Sequence, residues 1–183
     1  MQATWVKDYE ISIQEVPDFH WYSDDSENYD KVFNLADDET CPKTILLIIK
    51  REQREKRVVL IVPYYTIVDD CALPSGNKLF LMLNDLLCLF NPQTLEIDKL
   101  QRLDTIGMMF APYPYEYDFI LYGELDIFRV TRELSIQWQF SGKDIFVSCN
   151  DGTPAFEMKS DRICLRDFEG NYYEIGYDGK LVR

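Results

Sequence analysis

Histidine is nearly missing: His20 is the only one in 183 residues, and no Cys or second His stands at ligand spacing from it, so no histidine-based metal site is expected. The five cysteines, Cys41, Cys71, Cys88, Cys149 and Cys164, are odd in number and form no C-x-x-C. That spacing suits neither a disulfide scaffold nor a zinc site and predicts reduced, mostly buried thiols. G-x-x-x-x-G-K-[ST], G-x-G-x-x-G, G-x-S-x-G and H-E-x-x-H are also absent, and each absence removes one common class of enzyme. No cofactor is expected. The longest apolar runs, residues 45–49 and 79–90, are too short to cross a bilayer or are broken by Asn84-Asp85. The first eight residues lack a basic stretch followed by an apolar one, so no secretory signal is expected and the setting reads as cytoplasmic. Positive charge is scarce as well. Against 32 Asp and Glu stand 19 Lys and Arg, a formal charge of −13, which repels phosphate backbones and anionic lipids. Direct nucleic-acid binding and membrane association are therefore not expected, whereas a basic protein surface is attracted.

What is plentiful is apolar material. Hydrophobic residues make up 46% of the chain and aromatics 14%, enough to pack one core, and the length predicts a single domain over residues 1–183. Its parts are an N-terminal strand and acidic aromatic segment (1–43), a hairpin (44–78) and three β units (79–183). In the first part Tyr9, Ile11 and Ile13 alternate with Glu10, Ser12 and Gln14, a half-buried strand expected to cover an open sheet edge. Tyr29, Val32, Phe33 and Ala36 fall at helical spacing behind a polar cluster, which predicts one short helix. Residues 44–50 and 57–62 read as a hairpin joined by the charged loop 51–56.

From residue 79 onward, short apolar runs alternate with turn residues: 79–83, Asn84-Asp85, 86–90, Asn91-Pro92, 95–97. The same grammar returns at 119–140 and at 162–182. Aligning Phe80, Ile120 and Ile163 gives spacings of 40 and 43 residues, a period in the range of β-propeller blades. The stretch Ile120-Leu121-Tyr122-Gly123-Glu124-Leu125-Asp126-Ile127-Phe128, followed by Trp138-Gln139-Phe140, resembles the quinoprotein-like propeller repeat, in which a strand, a glycine turn and an apolar strand precede a Trp-x-Phe strand. The likeness covers residues 79–183, with the Trp-x-Phe feature only in the middle copy, and implies a fold but no quinone site. The expected fold is mostly β: antiparallel, propeller-like blade units in an incomplete arc or sandwich, with at most one short helix.

Two segments combine charge with rings. Between Asp18 and Thr40 stand Asp18, Asp24, Asp25, Glu27, Asp30, Asp37, Asp38 and Glu39, with Phe19, Trp21, Tyr22, Tyr29 and Phe33 among them and Lys31 as the one base. Residues 24–35 fail the EF-hand template, because Tyr29 takes the glycine place and Leu35 that of the final glutamate. The second segment, Pro112-Tyr113-Pro114-Tyr115-Glu116-Tyr117-Asp118, reads as an extended loop displaying its tyrosines or packing them on a neighbouring unit. Trp21, Tyr22, Asp24, Asp25, Glu27, Asp30, Asp37, Asp38, Tyr113, Tyr115 and Tyr117 are the candidate partner-binding residues, and no catalytic or metal-ligating residue is singled out. The functional expectation is a non-enzymatic binding domain, an acidic inhibitor or immunity-type antagonist occupying a basic, nucleic-acid-binding type of site on another protein. Two alternatives stay open: a carbohydrate-active hydrolase using a carboxylate pair in an aromatic cleft, and a subunit of a larger β assembly, marked by an exposed uncharged strand edge.

Overall fold

A computed structural model describes residues 3–17, 28–36, 41–148 and 152–182. Among them are sixteen strands and no α-helix, and thus no helix long and apolar enough to cross a membrane. The chain divides into two compact units, Met1–Leu103 and Asp104–Arg183. Length predicts one core, whereas each unit buries an apolar cluster of its own.

The first unit begins with a five-stranded sheet of β1 (Ala3–Val6), β2 (Tyr9–Glu15), β3 (Lys31–Asn34), β4 (Lys43–Arg51) and β5 (Arg54–Val62), in the order β1-β2-β4-β5-β3. The alternating stretch is strand β2, with Ile11 fully buried. It does not close the sheet edge, because it pairs with β4 on one side and β1 on the other. The predicted helix is a strand. Residues 31–34 run parallel to β5, Lys31 beside Val58 and Asn34 beside Ile61, so ladder hydrogen bonds to a neighbour override a helical spacing carried by only four side chains. The charged loop between β4 and β5 is shorter than its composition suggests. Arg54 to Lys56 continue the ladder opposite Ile49 to Arg51, and the chain turns at Glu52, whose φ is +55°.

β6 (Ala72–Ser75), β7 (Lys78–Leu83), β8 (Leu86–Asn91) and β9 (Glu96–Arg102) follow as an antiparallel meander in sequence order. Register places Leu79, Leu81 and Leu83 opposite Phe90, Cys88 and Leu86. All six side chains join the cluster that Ile11, Ile45, Leu47, Ile49, Val58, Leu60 and Val62 form with the first sheet.

In the second unit β10 (Met109–Tyr115), β11 (Asp118–Gly123), β12 (Asp126–Thr131) and β13 (Ile136–Ser141) form another four-stranded meander, and β14 (Phe156–Met158), β15 (Arg162–Arg166) and β16 (Tyr172–Gly176) a three-stranded one. Beside β16, Leu181 adds a single bridge to Ile175. Phe80, Ile120 and Ile163 each lie on the second strand of their meander, so the 40-residue rhythm of the sequence is a repeat of up-and-down, blade-like sheets. Ring faces fill the space between the two sheets of this unit: Tyr113 and Tyr122 both stack on Phe156, with centroids 4.9 and 4.6 Å apart. One carbonyl ties the turn after β16 to the larger sheet, since the Tyr177 oxygen accepts from Arg129 Nη1 at 2.8 Å and from Trp138 Nε1 at 2.9 Å. Gly179 closes that turn with φ +80°, and a Cβ there would stand 2.5 Å from Trp138 Cγ. Only glycine fits.

Candidate protein-binding surface

Trp21, Tyr22, Asp24, Asp25, Glu27, Asp37 and Asp38 lie outside the described residues. Asp30 and the three tyrosines are described, and they belong to different units. Asp30 stands just ahead of β3, where its carboxylate accepts from Lys56 Nζ at 2.5 Å and from the Arg57 amide at 2.8 Å, while its own amide donates to the Arg57 carbonyl at 2.8 Å. Burial works against its charge, but those donors prevail and hold the carboxyl below the ordinary aspartate value. Beside it the Arg57 guanidinium lies over the Tyr29 ring, 5.3 Å from the centroid. Asp30 therefore anchors β3 to β5, and its charge is already matched within the fold.

The proline-tyrosine segment is a strand, not a loop. β10 is the edge of its sheet, the one place in a sheet where Pro112 and Pro114 are tolerated without an amide to donate. Two of its tyrosines turn to the neighbouring sheet, as the alternative reading held: Tyr113 to Phe156, and Tyr115 to Tyr177 at 3.8 Å between near-parallel rings. Arg129, paired with Asp118 at 2.6 Å, covers the Tyr115 ring at 5.1 Å. Burial, with Glu116 close by, raises the Tyr115 phenol above its ordinary value. Tyr117 alone is displayed. It is 84% exposed at the tip of the β10–β11 hairpin, next to Glu116 at φ +50°, and Arg132 Nε holds its carbonyl at 3.1 Å.

One end of the five-stranded sheet gathers three of the four described neighbours of the acidic stretches, while the fourth, Asn28, stands ahead of β3 at the other end of that strand. β2 leaves the sheet there at Glu15, β4 enters at Lys43, and β5 and the parallel β3 finish there at Val62 and Asn34. Pro17 and Ala36 stand two residues beyond the ends of β2 and β3, and Cys41 two residues ahead of β4. Between them lies a cavity of about 370 Å³ lined by Glu15, Val16, Pro17, Pro42, Lys43, Thr44, Ile61 and Tyr64. Lys43 Nζ spans its floor, 2.9 Å from Glu15 Oε1 and 2.7 Å from the Thr66 carbonyl. Tyr64 and Tyr65 stand edge to face, 5.3 Å apart, each more than half exposed.

Sequence reasoning missed a second cavity, of about 370 Å³, on the face of the β14–β16 sheet turned away from the aromatic core. Glu157, Cys164 and Glu174 form one cross-strand row; Lys159 and Arg166 flank it, and Tyr172 stands at the rim. The signal was present as period-two alternation of these residues with Phe156, Met158, Ile163, Leu165, Tyr173 and Ile175, all of which pack inward. Here two carboxylates and two tyrosines share a cavity, but Glu157 pairs with Lys159 at 3.6 Å and Glu174 with Arg162 at 2.8 Å. Among the described residues no group of three or more His, Cys, Asp or Glu side chains is placed to hold a metal ion.

No family model matches the chain, and no curated protein does. Solved structures share strand arrangements with it at low identity. The CNH domain of AfRom2 is 13% identical with a TM-score of 0.45, over 79% of this chain and 47% of that one. KlHsv2 with loop 6CD replaced by a Gly-Ser linker is 10% identical with a TM-score of 0.43, over 81% and 48%. A protein of unknown function from Bacteroides caccae is 12% identical with a TM-score of 0.40, over 77% and 58%. The chain thus spans roughly half the length of the structures it matches.

Proposed function

We propose that this chain is a non-enzymatic binding domain: a cytoplasmic, acidic antagonist that occupies a basic, nucleic-acid-binding type of site on another protein. The observation that carries the reading is where the sequence sets acids without bases among them. Residues 18–27 and 37–40 contain Asp18, Asp24, Asp25, Glu27, Asp37, Asp38 and Glu39 and no Lys or Arg, so these seven carboxylates make up more than half of the net −13. Elsewhere many of the bases pair with acids, as Lys31 with Glu96, Lys43 with Glu15, Arg51 with Asp8, Lys56 with Asp30, Lys78 with Asp98 and Arg102 with Asp85. More than half of the surplus charge in two stretches, with Tyr64 and Tyr65 exposed at the sheet end where three of their four flanks stand, is the combination that steers a basic partner and then offers it anchor contacts. Free thiols at Cys41, Cys71, Cys88 and Cys164 support the cytoplasmic setting.

The test is capture of partners from the native cell at low salt, followed by titration with salt. A complex that weakens steeply with salt, and that loses about tenfold or more in affinity when Asp24, Asp25, Asp37 and Asp38 become Asn, is the expected outcome. Affinity indifferent to both would overturn the proposal.

A second reading, a subunit completed by strands of a larger β assembly, is favoured by β13. This edge strand of six residues, Ile136–Ser141, carries no charge, whereas its counterpart β9 carries Glu96, Asp98, Lys99 and Arg102. Charged side chains are the usual guard against edge-to-edge pairing. Sedimentation separates the readings, because strand completion makes mass depend on concentration. The Trp138-x-Phe140 feature on β13, behind the Gly123 turn, supports grouping the meanders with the quinoprotein-like repeat.

A further inference from the structure

The cavity over the β14–β16 sheet holds a nucleophile that the binding role leaves unused. Two of the described thiols are inert by burial, which pushes both Cys71 and Cys88 up to about 12. Cys164 differs in being half-buried and in lining a cavity. Lys159 stands beside it: the negative charge of the Cys164 sulfur and then that of Glu157, with hydrogen bonding to the sulfur, lead Lys159 to hold its proton more tightly than an ordinary lysine. Around the sulfur the walls carry both signs. Lys159 and Arg166 supply cations, the latter over the Tyr172 ring at 5.4 Å from its centroid. Glu157 and Glu174 supply anions from the two neighbouring strands. A volume of about 370 Å³ lies at the lower end of small-ligand sites. Walls of both signs suit a molecule bearing both carboxylate and ammonium groups.

We infer that this cavity is a modification site: it admits a small zwitterionic disulfide of the amino-acid or short-peptide class and retains half of it as a mixed disulfide on Cys164. The exchange balances without a further oxidant. The Cys164 sulfur, as thiolate, attacks one sulfur of the small disulfide; a new S–S bond forms to the protein as the old one breaks. The departing thiolate takes up the proton that Cys164 released, so the protein thiol is oxidised as the small disulfide is reduced. Lys159 is a positioning residue here, holding the attacking sulfur beside a positive charge.

The experiment follows the full chain by intact mass and peptide mapping during incubation with glutathione disulfide, and in parallel with the uncharged 2-hydroxyethyl disulfide. Cys41, which is exposed, serves as the internal reference. The expected result is an adduct on Cys164 formed about tenfold faster than on Cys41 with glutathione disulfide, and a much smaller preference with the uncharged reagent. Lys159→Met should slow the reaction at Cys164 several-fold while leaving that at Cys41 unchanged, and Lys159→Arg should restore part of it. First modification at Cys41 or Cys149, equal preference with both reagents, or a Cys164 rate indifferent to Lys159→Met would each overturn the assignment.

Discussion

The two units solve the packing problem with different materials. The cluster of the first is aliphatic and dry: leucines, isoleucines and valines with Phe90 as the one fully buried ring among them. The second unit packs rings, with Tyr113, Tyr115, Tyr122, Trp138, Phe140, Phe156, Tyr173 and Tyr177 around Ile120, Ile127, Phe146, Ile163, Leu165 and Ile175. A tyrosine or tryptophan brings a polar tip inside with it, and that tip needs a partner. Tyr122 donates to the Phe146 carbonyl at 2.6 Å, and Tyr177 to the Lys159 carbonyl at 2.7 Å. Two buried carboxylates serve the same end. Asp126 accepts from Thr105, from Ser141 Oγ at 2.5 Å and from Gln139 Nε2 at 2.9 Å. Asp167, fully buried, accepts from the Asn171 amide at 2.8 Å and the Tyr173 hydroxyl at 2.7 Å. The core cluster of the first unit is held by apolar area, whereas that of the second adds directional bonds that fix which ring faces which.

The sharpest way to test that contrast is to remove one member of each kind. Leu60, buried beside Val58 and Val62 in the aliphatic cluster, should cost about 2–5 kcal/mol when replaced by Ala, with a penalty in urea melts that is the same at pH 4 and pH 7. Asp167→Ala should cost about 2–3 kcal/mol at neutral pH, because the Asn171 amide and the Tyr173 hydroxyl lose a charged acceptor inside the protein. Its penalty depends on pH. Although burial opposes its charge, the Tyr173 and Asn171 donors hold Asp167 below the ordinary aspartate value, so the folded state binds this proton less readily than the unfolded chain. Its contribution is then complete above the unfolded value of about 3.9 and fades as pH falls below it. The difference in urea midpoint between wild type and Asp167→Ala should hold constant from pH 6 to about pH 4 and shrink below that; a difference that stays constant to pH 2 would mean that the carboxylate charge does not matter. The smallest effect is expected for Tyr122→Phe. It removes one hydroxyl but keeps the stack on Phe156, and should cost about 1 kcal/mol in the same melts.

The contrast also explains what could be read from sequence. Residues 79–83 and 86–90 announce themselves because strands buried along their whole length are continuous apolar runs, and the turn residues between them mark the meander. The three-fold rhythm through Phe80, Ile120 and Ile163 is legible for the same reason. β3 was not legible, since its four residues become a strand only by lying beside β5, a partner more than twenty positions away. The prolines of β10 suggested a loop because an edge strand, where they are permitted, is defined by its neighbours and not by its own sequence. Of the binding residues, Asp30 reads as one more surface carboxylate until Lys56 and the Arg57 amide are seen upon it. Nothing local to Cys164 reveals that Glu157 and Glu174 will flank it, because the row exists only across three strands.

The shared carbonyl of Tyr177 has a kinetic side. Because donors from β12 and β13 meet on one oxygen that follows β16, the last hairpin cannot peel away without stripping two partners from the larger meander at once. The two sheets of the second unit should therefore open together in native-state hydrogen exchange, as one cooperative block whose closure waits on contacts between residues 39 and 48 positions apart.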